Sequence, residues 1–165
     1  MSLLQEDFIP ALALFLPMLA ANQGPGLARM LDLKFAKTPV SRRWLGENKT
    51  IAAYYMGPVL AMSVLLVYTV FFPNPDWANA GLTPGLGTVL GDHMKSFFKR
   101  RLGRPPGSPW FLDRIDFAIG GGLAAKWYYD WVTWKHVLCI ILLAWPIHYF
   151  GNRFSHSRGW RDTPH

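Results

Sequence analysis

Residues 51–72 form an unbroken run of 22 side chains without a charge. A helix needs about 20 such residues to cross ~30 Å of hydrocarbon, so the run predicts a membrane span. Buried helices of soluble domains seldom stay apolar on every face over that length. Residues 131–150 make a second span, interrupted by Lys135 and His136 near one end, where a long side chain can snorkel to the interface. Residues 8–21 make a third and shorter one, which Pro10 and Pro17 are expected to bend. Glu6 and Asp7 stand where a signal peptide carries basic residues, so this segment reads as a retained span.

Two weaker segments complete the pattern. Residues 77–91 are rich in Gly, Ala and Thr, and residues 110–125 are apolar apart from Asp113, Arg114 and Asp116. Neither would stand alone in lipid; both make sense as interior helices shielded by the others. The expectation is an all-α integral membrane bundle: one domain over residues 1–165, about five transmembrane helices, and basic loops at 22–50 and 92–109.

Charge placement orients this bundle. Of 17 Lys and Arg, the loops 22–50 and 92–109 and the tail 151–165 carry 14, whereas Glu6, Asp7, Asp76 and Asp130 fall on the other side. By the positive-inside rule the N-terminus is expected outside and the C-terminus in the cytoplasm. Trp127, Tyr128, Tyr129, Trp131 and Trp134 gather at one end of the last two helices, and Trp145, Tyr149 and Phe150 at the other, as interfacial belts do. The net charge of +7 does not point to nucleic acid, because the cations are split among separate loops with no reading helix or stacking platform. The lone Cys139, inside the last apolar run, excludes an intrachain disulfide and reads as lipid-facing or as core filler.

Polar residues inside such a chain require a reason. Asp92, Ser96 and Lys99 stand at i, i+4 and i+7, one face of a helix, with Lys95 one step round from Ser96. That stripe suits a hard cation at one end and phosphate oxygens at the other; it also suits an amphipathic helix on lipid headgroups. Asp113 and Asp116 follow at i and i+3, expected on a single helix, with Arg114 turned aside. An Asp within an apolar span costs about 2.5–3.5 kcal/mol on insertion scales unless it faces the interior with a partner. A salt bridge to Arg114 or Lys99 is one such partner, and a divalent cation shared by Asp92, Asp113 and Asp116 is another. The oxygen-only donor set suits Mg²⁺. His93 reads as a bystander beside Asp92. Gly81, Gly85, Gly87 and Gly91, with Gly120, Gly121 and Gly122 after Asp116, predict close approach of the two Asp-bearing helices. Upstream, Lys49 and Thr50 open the long apolar run, as a helix-start phosphate contact or as a positive anchor at the interface.

Taken together, Gly91-Asp92, Ser96-Phe97, Lys99-Arg100-Arg101, the loop at Pro106 and Gly107, Leu112-Asp113 and Asp116-Phe117 resemble the signature of the CDP-archaeol synthase family, relatives of the CDP-diacylglycerol synthases. Asn22 and the block Gly46, Asn48, Lys49 and Thr50 are similar to that family's early segments. Where the family usually continues with Trp, Arg and Gly, this chain has Ile51, Ala52 and Ala53. The resemblance implies a membrane cytidylyltransferase that takes CTP and a lipid phosphate to a CDP-lipid and pyrophosphate with Mg²⁺. It implies Asp92, Asp113 and Asp116 as metal-associated carboxylates. It puts Asn22, Lys49, Ser96 and Lys99 near the nucleotide or its phosphates; the residues themselves add Thr50 as a helix-start phosphate contact and Lys95 or Arg100 as assistants to Lys99 on the triphosphate, with the site expected on the cytoplasmic face of the cytoplasmic membrane. An oligomer is compatible with this layout, and the lipid is archaetidic-acid-like or phosphatidate-like. The D-G-x-x-A-R run of CDP-alcohol phosphotransferases and the Ser-Gly-His context of membrane phosphatases are both absent. A transporter or scaffold with an intramembrane cation site is the non-enzymatic alternative.

Overall fold

The computed structural model describes residues 4–71, 81–105 and 108–158, and these are mostly helical, with one isolated antiparallel bridge between Pro39 and Thr50. Among the described residues five α-helices carry the fold: α1 (Ile9–Met30), α2 (Ala52–Phe71), α3 (Leu82–Arg101), α4 (Asp116–Tyr128) and α5 (Trp134–Ser157). A π-helical turn, Leu4–Phe8, leads into α1, and 3-10 turns occupy Lys34–Lys37 and Phe111–Arg114. The start of the expected 77–91 span, Asp76, Phe72, the Pro106-Gly107 pair and Arg161 lie outside the described residues.

The lipid-like character of the runs shows in how α2 sorts its residues. Ala53, Gly57, Ala61 and Leu65, spaced four apart, are buried, while Tyr55, Val59, Met62, Leu66 and Val70 face outward. Mostly small residues inside and large apolar ones outside invert the soluble pattern, as expected when the surroundings are hydrocarbon. Among the described residues, three helical stretches are long and apolar enough to cross a membrane: Glu6–Met30, Ala52–Phe71 and Trp134–Phe154. The fold is therefore an all-helical bundle of membrane type. The two weak segments form α3 and α4; α4, with 13 residues, is about 20 Å long and lies against its neighbours rather than crossing alone.

Four features differ from expectation, counting α5, which runs past residue 150 to Ser157. The first span does not stop at Ala21: α1 continues through Asn22-Gln23-Gly24-Pro25-Gly26 to Met30. The sequence there reads as a turn, but a Cβ at Gly24 would sit 2.7 Å from the backbone nitrogen of Gly57, so this glycine serves close packing of α1 on α2. Pro10 falls in the first helical turn, where a missing N–H costs nothing, while Pro17 and Pro25 lie inside the helix. The second difference is that Asp113 and Asp116 do not share a helix. Asp113 belongs to the 3-10 turn, Ile115 (φ −130°) breaks the chain direction, and Asp116 begins α4. Likewise the basic segment expected as a loop from residue 92 is helical as far as Arg101.

The core is built where α1, α4 and α5 meet. Phe15, Met18, Leu14, Phe117, Val132 and Ile140 are fully or almost fully buried, with the Phe15 and Phe117 rings 6.1 Å apart. Cys139 is partly buried against this core. The closest helix pair is α3 with α4. A Cβ on Gly91 would lie 2.9 Å from Gly120 Cα, and a Cβ on Gly120 would lie 2.7 Å from Gly91 Cα, so the two backbones touch where those glycines meet. Thr88 Oγ1 donates to Phe117 O at 3.2 Å across the same seam. The expected convergence of the Asp-bearing segments follows from this contact, since Asp92 and Asp116 sit at its one end.

Candidate active site

Each polar side chain reaches this end of the bundle by a local device. Lys49 is held by the bridge that pairs Pro39 with Thr50: Val40 N donates to Lys49 O at 2.8 Å and Ile51 N to Thr38 O at 2.9 Å. Arg29 at the end of α1 donates to Asn48 O at 3.2 Å. Trp44 stacks on Phe97 of α3, with centroids 5.8 Å apart, and the Arg101 guanidinium lies 4.0 Å over the Trp44 ring. These contacts clamp the segment between α1 and α2 onto α3 and aim Lys49 inward. Asp113 caps its own turn, accepting from Trp110 N at 2.6 Å. Asp116 stands in the first turn of α4, where the helix dipole favours a carboxylate.

The result is an alternating ladder of charges. Lys49 Nζ contacts Asp92 Oδ1 at 2.6 Å and Oδ2 at 2.5 Å. Lys95 Nζ lies 3.2 Å from Asp92, 3.0 Å from Asp113 and 2.6 Å from Asp116. Lys99 Nζ stands 3.2 Å from both oxygens of Asp113 and also donates to Ser108 O. Three aspartates from three separate pieces of backbone thus converge on one point, and that point is the Lys95 ammonium, whose side chain is only 10% exposed. Lys95 as hub and Lys49 as the partner of Asp92 were not derivable from helical spacing; Lys49 was expected only as a phosphate contact or an interfacial anchor.

The other candidates divide. Asn22 faces a cleft of about 20 Å³ that Pro25, Thr88, Val89 and Asp92 also line, so it joins the same end of the bundle. Thr50 is buried beside Lys49, its Oγ1 without a hydrogen bond. Ser96 donates to the backbone oxygen of Asp92 at 3.0 Å, so its hydroxyl supports the helix turn that carries Asp92. Arg100 turns away, donating to Pro105 O at 3.0 Å. His93 donates through Nδ1 to Val89 O at 2.7 Å and packs on Tyr54, its ring away from the aspartates' focus. Arg114 packs over Trp145 and Tyr149 at 5.5 and 5.1 Å instead of pairing with an aspartate.

A hard divalent cation can be weighed against this arrangement. The donors are right in kind: carboxylate oxygens only, with Asp116 Oδ2 buried and, despite its ion contact with Lys95, without a well-directed hydrogen bond. Their spacing is that of an ammonium ion. Oxygens at 2.6–3.2 Å surround Nζ, whereas Mg²⁺ holds ligands at about 2.0–2.1 Å. Among the described residues no three His, Cys, Asp or Glu side chains are close enough to share an ion as they stand. The donor set fits such a cation in kind, and in their present positions the three carboxylates are paired with lysines instead.

Comparison with known proteins gives the arrangement a context. Residues 14–165 match the family model described as CarS-like, CDP-archaeol synthase. A CDP-archaeol synthase of Saccharolobus islandicus is 29% identical over 161 residues, covering 96% of each chain. One from Methanospirillum hungatei is 31% identical over 137 residues, 74% of this chain and 82% of that one. One from Thermofilum pendens is 32% identical over 140 residues, 82% of this chain and 67% of that one. No solved structure matches. With nearly the whole chain matched and the ladder built from the segments that carry the resemblance, the protein belongs to the CDP-archaeol synthase family.

Proposed function

We propose that the chain is a CTP-dependent cytidylyltransferase of the cytoplasmic membrane, converting a lipid phosphate with ether-linked isoprenoid chains into a CDP-lipid and pyrophosphate. The observation that carries this reading is the ladder of three lysines and three aspartates at one end of an apolar bundle. The name borne by the relatives, CDP-archaeol synthase, supports the lipid class.

In this reaction an anionic oxygen of the lipid phosphate attacks the α-phosphorus of CTP. The new P–O bond forms as the bond from that phosphorus to its bridging oxygen breaks, and pyrophosphate leaves with the electron pair. The nucleophile is already ionised near neutral pH, so no general base is needed. The site must instead align two polyanions that repel each other and neutralise charge as it shifts to the leaving group. Lys49, Lys95 and Lys99 supply cations from two directions, the segment before α2 and α3. Asp92, Asp113 and Asp116 would hold Mg²⁺, which when bound neutralises charge on the triphosphate oxygens. Asn22 and Thr50 offer uncharged polar groups beside the lysines. Ser96 keeps the Asp92 turn in place, and Arg100 orders the following loop.

The basic residues Arg29, Lys34, Lys37, Arg42, Arg43, Arg101 and Arg104 belong to the two basic segments that also carry Lys49, Lys95 and Lys99, which supports a site facing the cytoplasm, where CTP is available. The test is a product assay. The purified chain in detergent, given CTP and a panel of ether- and ester-linked lipid phosphates, is expected to form a CDP-lipid and release pyrophosphate stoichiometrically. Mass spectrometry that finds no cytidine-bearing lipid from any of them rejects the reading.

A further inference from the structure

We propose that Lys95 is a resident counter-cation for the aspartate cluster, displaced when a divalent metal binds and thereby released toward the nucleotide. The metal half of this proposal stands on the chain's own geometry; the nucleotide half rests on the cytidylyltransferase reading. Three lysines alternate with three aspartates, so the formal charges of the ladder cancel. A cluster of three bare carboxylates would draw in a dication, whereas this one is already neutral. Lys95 is the obstacle, because its ammonium stands at the single point all three aspartates reach, at 2.6–3.2 Å. Metal and ammonium cannot share that point.

Lys95 is able to leave. Its four-carbon stem is flexible, its charge is compact, and Lys49 and Lys99 stay paired with Asp92 and Asp113 while those carboxylates close in on the metal. Asp116 gains most from the exchange, since its buried Oδ2 has ion contact but no well-directed hydrogen bond. Once displaced, a buried ammonium needs another anion. The triphosphate of CTP is the one that the proposed reaction brings. Metal and nucleotide binding are then thermodynamically linked, each making the other's partner available. The lysine is kept off the phosphates until the metal is in position, which orders the assembly of the site.

The experiment measures binding of Mn²⁺ alone, as a paramagnetic substitute for Mg²⁺, by electron paramagnetic resonance on the full chain in detergent. Lys95→Met removes the competitor and is expected to bind Mn²⁺ at least tenfold more tightly than wild type, within the roughly 5–150-fold span of linked equilibria. Lys95→Arg retains a cation and is expected to stay within threefold of wild type, on the same estimate of linkage. Unchanged or weaker binding in Lys95→Met overturns the proposal. Should that variant fail to fold, wild-type chain is acetylated with and without saturating Mg²⁺. Labelling of Lys95 rising about tenfold against the exposed Lys37 and Lys135 supports displacement, and unchanged labelling overturns it. A chain that makes no CDP-lipid but shows tighter Mn²⁺ binding in Lys95→Met refutes the enzymatic reading alone. CDP-lipid synthesis with unchanged Mn²⁺ binding refutes the exchange alone.

Discussion

Lys49 and Asp92, 43 positions apart, meet in a two-pronged ion pair with Nζ at 2.6 and 2.5 Å from the two carboxylate oxygens. The pair ties the segment before α2 to the middle of α3, and both side chains are about one-fifth exposed. A pair so little hydrated should behave as a unit. Lys49→Met and Asp92→Asn are each expected to destabilise the chain, and the double variant to lose less than their sum, with a coupling of roughly 0.5–3 kcal/mol. Unfolding in mixed micelles for the four proteins of the cycle measures it, and strict additivity would contradict the coupling.

The glycine seam between α3 and α4 makes a steric prediction. Gly91→Ala places a methyl group 2.9 Å from Gly120 Cα and closer still to Asp116 O, so the helices must part. A loss of about 1–3 kcal/mol in stability is expected from such overpacking, together with a drop in turnover, because Asp116 moves with α4. Gly26→Ala and Gly151→Ala, with nothing within 4 Å of the added atom, should be neutral or slightly stabilising through helix propensity. Equal thermal stability of the Gly91 and Gly151 variants would argue against the seam.

The lysines and arginines of α3 are not equivalent. Lys95→Met and Lys99→Met remove cations that stand among the aspartates and are expected to lower CDP-lipid formation by about 10²–10³-fold, the usual loss when a stabiliser of transition-state charge is deleted. Arg100→Ala removes a side chain bound to Pro105 O and should change the rate by no more than about threefold, as for a surface position away from the chemistry. Initial rates at saturating CTP, with KM determined for each variant, distinguish the two groups. An Arg100 variant as damaged as the lysine variants would relocate the phosphate site.

Metal dependence follows from the donor set. Removal of divalent ions with EDTA is expected to abolish product, and Mg²⁺ or Mn²⁺ to restore it. Ca²⁺, with longer bonds and a larger shell, should restore little. Asp113→Asn and Asp116→Asn should each raise the Mg²⁺ concentration for half-maximal rate by tenfold or more, about 1.4 kcal/mol per factor of ten. Full activity in EDTA would remove the metal assignment.

Much of the architecture was legible because it depends on local composition. Hydropathy over some 20 residues reports directly on the free energy of placing a helix in hydrocarbon, and α2 follows it closely, while α5 covers the expected run and continues past it to Ser157. The end of α1 was not legible: Asn22 to Gly26 has the composition of a turn, and the reason for its glycine is the backbone of Gly57 on another helix. The break at Ile115 was equally hidden, since i and i+3 spacing is satisfied by a continuous helix or by a 3-10 turn followed by a new one.

By itself the amino-acid sequence determined that this chain is a helical membrane protein with Asp92, Asp113 and Asp116 set in or beside apolar segments and with basic loops, and its motif spacing carried the family resemblance. These are properties of neighbouring residues, readable because transfer free energy and helical phase act over short stretches. Only the tertiary structure decided which charge neutralises which. Lys49 finds Asp92 across 43 positions, and Lys95 becomes the shared partner of three aspartates, because glycine-sized surfaces let α3 and α4 touch and so bring separate segments to one point. Coulomb attraction falls off with distance in space rather than along the chain, so the ladder exists only once the helices have packed.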